Sequence, residues 1–446
     1  MKKSFFIVIA LLTIAVMVLS ACTPPAPEKV IETVVVEKEV EKVVEKQVEV
    51  PVEKEAGSLR IWGFYDLTNT EDSRAVMMKQ AIDSFQATTG IKVEYEQVAW
   101  DQMATKVAVA AQSGGDMPDL IMVAYEYVQG LINAGALMNI NDQIKASFFY
   151  SDLNEFEKAL NEVNGERYAV GTFVSGGNWY YDVAMFPDGW PTDEAGWDKE
   201  CQRLSKEGKY VATAFLGRHS AAIQQGLAPL VWSAGGQMFD EEGKPVFAND
   251  KTVMAINWLR KMLANKCIPE VAFTGDWSAT EAPFVDKTAG AVRGGSWSYI
   301  YIAGLKERFE AGEVKIGPPP GLAGNQGYVF MNTETWALTS GAKNVDNAIA
   351  FINFFFNPAV LAPWAKANYG IPATAAALQN PIFDSQFYAD TRDNLTKYGH
   401  KSDTSPYYNE CMDALAAAMQ EIMLDPKIDP MTKLQATQDE LLTKYW

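Results

Sequence analysis

Residues 114–123 read GGDMPDLIMV and carry the clearest fold signal in the chain. The two glycines and Pro118 interrupt a helical pattern, and the apolar run from Leu120 to Val123 is typical of a fully buried strand. Helices are predicted on both sides, at 100–112 and at about 125–134. Strands that alternate with helices predict an α/β architecture, with helices on both faces of a mostly parallel sheet.

The alternation continues in both directions. Residues 59–62 and 91–95 read as strands around a helix with apolar positions between 76 and 85. Further along, strands are predicted at 168–173, 179–181, 289–292 and 336–339, and helices at 197–207, 221–232, 253–264, 345–356 and within 407–445. The roughly 390 residues after Gly57 exceed what one hydrophobic core usually organises, so we expect two lobes.

The N terminus predicts export. Lys2 and Lys3 precede an apolar run at 5–19 that is too short to span a bilayer comfortably, which is typical of a signal peptide over 1–21. The sequence LSAC at 19–22 resembles a bacterial lipobox, so we expect a lipid on the sulfur of Cys22 and an anchor on the outer face of the membrane. The alternative is a buried cysteine after an ordinary cleavage site.

Residues 22–57 contain the lipidated cysteine and a tract rich in valine, glutamate and lysine. Valine followed by glutamate recurs there with a period of four, and the tract offers no core to bury against. We interpret it as a solvated spacer. A coiled-coil oligomerisation segment is the alternative, although sustained heptads are missing.

Composition excludes several classes of function. The formal charge is −18, from 38 basic and 56 acidic residues, which argues against nucleic-acid partners. The sequence has no G-x-S-x-G, H-E-x-x-H or P-loop motif, and its two histidines, His219 and His400, predict neither a zinc site nor a histidine-based active site. No metal or other cofactor is expected. A secreted enzyme that acts on glycans remains an alternative, since carboxylate pairs are easily found in so acidic a chain.

Three cysteines remain besides Cys22, namely Cys201, Cys267 and Cys411. The exported location permits disulfides, so one pair and one free thiol are possible. Their spacing does not decide which two would pair.

A set of short motifs, in order over residues 59–375, resembles the family 1 extracellular solute-binding proteins of ABC importers, which include maltose-binding protein. At 179–182 this chain has WYYD where relatives usually have Leu, Tyr, Tyr and Asn. The motifs are GGDMPD at 114–119, AGAL at 134–137 before Asn141 and Asp142, WYYD at 179–182, WSAGG at 232–236 before Phe239 and Asp240, GAV at 290–292 before GSW at 295–297, GPP at 317–319, and LTSGAK at 338–343.

The resemblance implies a two-lobed fold of the periplasmic-binding-protein type (type II), with mixed, mostly parallel sheets, a hinge and an interlobe cleft. One lobe would contain 59–168 and 326–372, and the other 172–316 and 373–446. The crossings would fall near 169–172, 318–327 and 371–373. A monomer that closes around its ligand would then dock on the permease subunits of an importer.

Ligand-binding residues are expected in the loops after strands, because ligands of open α/β sheets collect at the carboxyl ends of strands. Trp232 and Trp297 are the preferred candidates for stacking on a sugar ring, and Asp66 and Glu126 for accepting bonds from its hydroxyls. The candidates from strand ends are Phe64, Tyr65, Asp66, Tyr125, Glu126 and Trp336, and those from family positions in the second lobe are Asn178, Trp179, Trp232, Gly236 and Trp297.

A different solute in the same fold remains the main alternative. Relatives with this fold carry polyol phosphates, polyamines or metals, and adjacent tyrosines such as Tyr180 and Tyr181 or Tyr407 and Tyr408 could ligate ferric ion. Few cationic residues lie near the predicted strand ends, which favours a neutral sugar over a phosphorylated ligand. A sensor could replace the importer as the partner.

Overall fold

The computed structural model describes residues 57–163 and 165–446. The predicted signal peptide, the predicted lipidation site at Cys22 and nearly all of the predicted spacer lie outside the described residues. From Gly57 onward the described residues belong to one compact unit.

The first sheet consists of β1 (Ser58–Gly63), β2 (Lys92–Gln97), β3 (Leu120–Ala124), β6 (Val170–Gly171) and β12 (Glu334–Leu338). Their order across the sheet is β2-β1-β3-β12-β6. Its β3 has the sequence LIMVA and is buried at every position, as expected for a strand covered by helices on both faces. Strands β2 and β3 run parallel to β1, whereas β12 runs antiparallel to both β3 and β6.

The second sheet consists of β7 (Phe173–Asp182), β8 (Tyr210–Thr213), β9 (Ala289–Gly295), β10 (Val314–Gly317), β11 (Val329–Asn332), β13 (Ile371–Pro372) and β14 (Gly399–Lys401). It is organised around β7, which spans ten residues. Four strands pair with it in antiparallel fashion, whereas β8 with β9 and β11 with β14 pair in parallel. A separate hairpin pairs β4 (Glu162–Val163) with β5 (Glu166–Arg167).

The mixed α/β architecture agrees with the prediction, but the second sheet contains more antiparallel pairing than the strand and helix alternation suggested. The reason is the length of β7. Residues 173–182 form one strand instead of parts of two, and successive segments of it accept different neighbours.

The chain passes between the sheets three times, and two of these passages are single buried threonines. The third lies between β12 of the first sheet and β13 (Ile371–Pro372), which pairs with β7 of the second, whereas the sequence predicted it near 371–373. Thr172 separates β6 from β7, and Thr333 separates β11 from β12. The second passage lies beyond the predicted 318–327, because β11 still pairs with β7 and β14 of the second sheet. Thr172 donates backbone and hydroxyl hydrogen bonds to the carbonyl of Glu334, at 3.0 and 3.1 Å, which ties the two passages together.

Helices cover the sheets, and their ends are fixed by local signals. The first begins after Asp72, whose side chain accepts a hydrogen bond from the Arg74 amide, and ends at Gly90 in the left-handed conformation. The helices are α1 (Ser73–Thr89), α2 (Trp100–Ser113), α3 (Val128–Asn133), α4 (Asn141–Lys145), α5 (Glu155–Asn161), α6 (Glu194–Leu204), α7 (Ser220–Ala222), α8 (Ala228–Ser233), α9 (Asp250–Ala264), α10 (Val271–Thr274), α11 (Trp277–Val285), α12 (Ser298–Tyr301), α13 (Leu305–Glu310), α14 (Val345–Phe355), α15 (Pro358–Ala367), α16 (Ala375–Leu378), α17 (Gln386–Tyr398), α18 (Tyr408–Leu424) and α19 (Pro430–Tyr445), with a π-helix at Ile223–Leu227.

Cysteine pairing, which the sequence left open, joins Cys201 to Cys267 across a separation of 66 residues. Cys411 is buried and unpaired in α18. Within the described part of the chain no single helix is long and apolar enough to cross a membrane, and only the bent pair α14 and α15, at 74° to each other, would pass such a test together.

Candidate functional site

A cavity of about 260 Å³ lies between the two sheets, next to both chain passages. Its wall draws on both halves of the molecule, so it occupies the position predicted for a ligand cleft. From elements of the first sheet and its helices come Arg74, Trp100, Thr333, Glu334, Ala367, Asn368 and Tyr369, and from the second Phe173, Ser175, Ala221, Gln224, Gln225, Trp297, Ile300, Tyr301 and Asn332.

A buried acidic group lies at the edge of the first sheet, and it consists of the carboxyls of Glu334 and Glu126 and the hydroxyl of Tyr65. Glu334 is its central member. As the first residue of β12 it lies opposite Ala124, the last residue of β3, because the two strands are antiparallel. The Tyr65 hydroxyl lies 2.9 Å from both carboxylate oxygens of Glu334. Burial raises the pKa of Glu334 to about 7, although the Tyr65 hydrogen bond and the nearby Arg74 charge oppose the rise.

Glu126 supplies a second buried carboxyl at the same edge of the sheet. It follows β3 directly and is 1% exposed. Its Oε2 atom has no hydrogen-bond partner among the described residues. Burial, with a smaller contribution from the charge of Glu334, raises the pKa of Glu126 to about 7.

We expect stability to fall with rising pH because of Glu126. A carboxyl whose folded-state pKa is raised contributes fully below its unfolded-state value, and this contribution is lost as pH rises through about 7. Glu126→Gln removes the titration and keeps the shape. Between pH 5 and pH 8 the wild type should therefore lose about 2–3 kcal/mol of unfolding free energy relative to the variant.

Urea denaturation of both proteins at the two pH values measures this difference. The Glu126→Gln variant is the control for the wild type, because the two proteins share all other titrating groups. A difference between the two proteins that stays constant from pH 5 to pH 8 would contradict a raised pKa at Glu126.

Two glutamines face the acidic group from the second half of the molecule. Gln224 and Gln225 lie on the π-helix that interrupts the run from α7 to α8, and both line the cavity although they are adjacent in sequence. The Oε1 atom of Gln225 is buried without a hydrogen-bond partner in the described structure, so it offers an acceptor to a ligand. The Gln224 side chain lies close to the Glu126 carboxyl and opposes the rise of its pKa.

Aromatic side chains provide the apolar part of the wall. Trp297 is half-buried, and its ring centroid lies 5.9 Å from that of Phe330. The ring of Trp100 makes an edge contact with Tyr127 at 5.2 Å. Trp100 also lines a second cavity, of about 720 Å³, together with Asp101, His219 and Asp413.

The binding residues that the sequence predicts after β1 and β3 differ from one another in their surroundings. Tyr65 and Glu126 belong to the acidic group itself, and the buried ring of Phe64 packs against Tyr65. Asp66 is exposed and accepts hydrogen bonds from the backbone and hydroxyl of Thr68, as a turn residue does. The buried Tyr125 hydroxyl accepts a hydrogen bond from the Ser402 amide at 2.8 Å.

Of the predicted second-half residues, Trp297 lines the cavity and the others contact protein. Asn178 is buried and accepts a hydrogen bond from Asn394. Trp179 packs in an aromatic cluster with Trp190 and Trp197, Trp232 stacks on His400 at 4.3 Å, and a side chain at Gly236 would collide with Lys251 and Val231.

Trp336 lies in the core of the first half. It is 0% exposed, and its ring makes edge contacts at 5.4 Å with Phe351 and Phe355. It follows Glu334 by two positions in β12, so it lies further from the cleft edge of the sheet.

Sequence reasoning missed the lining residues Arg74, Trp100, Gln224, Gln225, Tyr301 and Glu334. Two signals were available. Adjacent glutamines within the otherwise apolar segment 221–232 are unusual on a buried helix face, and Trp100 begins a predicted helix directly after a strand.

The arrangement can bind a solute that both donates and accepts hydrogen bonds and has an apolar face. Within the described residues no group of three or more His, Cys, Asp or Glu side chains could hold a metal ion.

Comparisons with known proteins agree with this geometry. Residues 80–391 match a family model described as bacterial extracellular solute-binding protein. No curated protein sequence is similar enough to count as a relative. Among solved structures, the GacH receptor of Streptomyces glaucescens, in unliganded form and with acarbose, matches with a TM-score of 0.71 at 17% identity, covering 88% of this chain and 100% of that one.

Two further structures match equally well in shape. Maltose-bound MalE3 of T. maritima has a TM-score of 0.71 at 16% identity, covering 87% of this chain and 100% of its own. An ABC transporter solute-binding protein of Thermotoga lettingae, bound to α-D-tagatose, has a TM-score of 0.71 at 15% identity, with coverage of 87% and 99%. At such identities the likeness concerns the fold, which is that of the type II periplasmic solute-binding proteins.

Proposed function

Because this chain belongs to the family of bacterial extracellular solute-binding proteins, we propose that it captures a sugar or oligosaccharide for an ABC importer, in the cavity between its sheets. Membership of this family implies an extracytoplasmic protein that binds its substrate and does not convert it. The identity of the solute, the importer and the lipid anchor belong to the proposal.

The composition of the cavity wall is the observation that carries the sugar assignment. A pyranose has an apolar C–H face and a rim of hydroxyls that donate and accept hydrogen bonds. Trp100 and Trp297 offer ring surfaces to the first. Glu334, Gln224 and the unpartnered Oε1 atom of Gln225, buried where water is scarce, suit the second.

The charge of the wall fits an anionic solute less well. Arg74 is the only cationic side chain among the residues that line this cavity, and its guanidinium already forms two hydrogen bonds with Asp72. A polyol phosphate would need a free, bidentate cation there. The ligands named for the fold neighbours, which are acarbose, maltose and α-D-tagatose, support a carbohydrate.

Closure of the two halves would occur at the three passages between the sheets. Rotation about Thr172, Thr333 and the passage before Ile371 requires a change at only a few backbone angles, as in hinged domain closure. The units proposed to move are the predicted lobes, 59–168 with 326–372 and 172–316 with 373–446, after the second passage is moved to Thr333 and the third to the residues before Ile371.

A thermal-shift screen tests the ligand assignment. The purified protein should be stabilised by at least one of maltose, maltotriose, D-glucose or D-tagatose, because a ligand at about 100 times its Kd adds about 2.7 kcal/mol to the folded state. Spermidine and glycerol 3-phosphate serve as the non-sugar controls. Stabilisation by either control with no response to any carbohydrate would overturn the sugar assignment.

The anchor is proposed from the LSAC sequence at 19–22 and the spacer that follows it. A lipid on Cys22 would hold the binding protein near its importer while leaving the two halves free to close. Cys22→Ala should move the protein from the membrane fraction to the soluble fraction of the producing cells. Retention of the variant at the membrane would contradict a lipid at this position.

A further inference from the structure

A contact between Arg74 and Tyr301 crosses the mouth of the cavity. Arg74 lies on α1, which follows β1 of the first sheet, and Tyr301 ends α12, which follows β9 of the second. The Arg74 Cζ atom lies 5.7 Å from the centroid of the Tyr301 ring. Both residues line the cavity, so this contact joins the two halves where the solute would enter.

The first-sheet side of this contact is held in place by residues of its own half. The Arg74 Nε and Nη2 atoms donate to the two carboxylate oxygens of Asp72, at 2.9 and 2.7 Å. The guanidinium also lies over the ring of Tyr65, at 5.2 Å from its centroid. Since Asp72 occupies the edge of the guanidinium, its faces are left for aromatic rings.

The second-sheet side is unusually open. Tyr301 is 52% exposed, which makes it one of the large side chains that the fold leaves in contact with solvent. Its neighbour Ile300 is exposed as well and also lines the cavity. The Tyr301 ring ends a one-turn helix that follows β9, so any rotation of the second sheet against the first would change its distance from Arg74.

We propose that Arg74 and Tyr301 form a clasp that stabilises the closed form and slows release of the solute. The clasp rests on the proposed capture of a carbohydrate in this cavity. Arg74 is the fixed part, positioned by Asp72 and Tyr65, and the Tyr301 ring is the movable part. The attraction is between a cation and the face of a ring, so it requires the aromatic ring of Tyr301 and not its hydroxyl.

Dissociation rates in the full-length protein test the clasp. Tyr301→Ala should speed dissociation of maltose, or of whichever panel sugar binds, by about 2- to 30-fold. Tyr301→Phe keeps the ring and should dissociate within about 2-fold of the wild type. In an Arg74→Met background, Tyr301→Ala should have no further effect, because its partner is gone.

A distance measurement tests the clasp without a ligand. Donor and acceptor dyes at Gln80→Cys and Lys306→Cys, both exposed positions on opposite halves, report the opening of the cleft, and the native Cys411 is buried. Tyr301→Ala should increase the fraction of open molecules, whereas Tyr301→Phe should leave it unchanged.

The two readouts separate the clasp from the sugar assignment. If no carbohydrate binds the wild type, the sugar assignment falls, and the distance distributions still decide about the clasp. Identical distributions in wild type and Tyr301→Ala would overturn the clasp. So would a Tyr301→Phe variant as defective as Tyr301→Ala, because the hydroxyl would then be the important group.

Discussion

Arg167→Met should lower the free energy of unfolding by about 3–5 kcal/mol, because it leaves a buried carboxylate without its partner. Arg167 is 1% exposed and Glu157 is 0% exposed. The Arg167 Nη1 atom lies 2.9 and 3.0 Å from the two oxygens of Glu157. One of those oxygens also accepts a hydrogen bond from the amide of Gly171 in β6, next to the passage at Thr172.

The pH dependence of this loss identifies its cause. Without Arg167, the pKa of Glu157, which burial already raises, has no opposing charge to lower it. The penalty should therefore be full at neutral pH and shrink as the acid protonates at lower pH. Urea denaturation at pH 5 and pH 8 measures both values.

The double variant Arg167→Met with Glu157→Gln is the matched control. It removes the buried charge together with its partner, so it should recover a large part of the lost stability. A loss below about 1 kcal/mol in the single variant would contradict this assignment, since that is the range of exposed ion pairs.

Glu334→Ala should weaken carbohydrate binding about 30- to 1,000-fold, which corresponds to about 2–4 kcal/mol. The carboxyl lines the cavity and accepts from Tyr65, so the substitution removes an acceptor for the solute and leaves the Tyr65 hydroxyl without its main partner. Trp297→Ala should also weaken binding, through loss of a stacking surface.

Isothermal titration with the sugar that gives the largest thermal shift measures both variants. Glu334→Gln keeps an acceptor of the same shape, so it should bind better than Glu334→Ala. Asp83→Ala removes an exposed carboxyl on α1 and should bind as the wild type does. Wild-type affinity in both Glu334→Ala and Trp297→Ala would place the solute outside this cavity.

The sequence predicted those parts of the fold in which local pattern and tertiary role agree. The apolar run at 120–123 became the fully buried β3, and the alternation at 91–95 became the edge strand β2. Pairing direction was harder to predict, because it depends on which distant strand lies alongside. The single strand at 173–182 is the main example, since its neighbours come from residues as far apart as 291 and 371.

The same difference between local pattern and long-range strand pairing applies to the candidate site. The rule that ligands collect at the carboxyl ends of strands points to Tyr65 and Glu126, and both lie beside the buried carboxyl of Glu334 without lining the cavity themselves. Because β12 is antiparallel to β3, its amino end lies at that edge, so its contribution is its first residue, Glu334. The sequence predicts that this strand begins at Trp336, but it begins two residues earlier, and the Trp336 ring lies in the core.

Aromatic residues illustrate a further limit. Trp179 and Trp232 occupy the expected strand and helix, but their rings contact Trp190, Trp197 and His400. A tryptophan near a sheet end has a similar sequence context whether it faces a solute or another ring. Likewise, Gln224 and Gln225 both line the cavity although they are adjacent on a helix, and helical periodicity alone does not assign two adjacent residues to one wall.

The bond between Cys201 and Cys267 makes correct oxidation depend on the order in which the chain folds. An unfolded chain with three thiols can form any of three pairs, and two of them would involve Cys411. Once α18 packs, Cys411 is buried and the pKa of its thiol rises to about 12, so almost no thiolate remains to attack the bond. Early packing of α18 would therefore protect the native bridge from exchange, without a second bridge or the loss of the third cysteine.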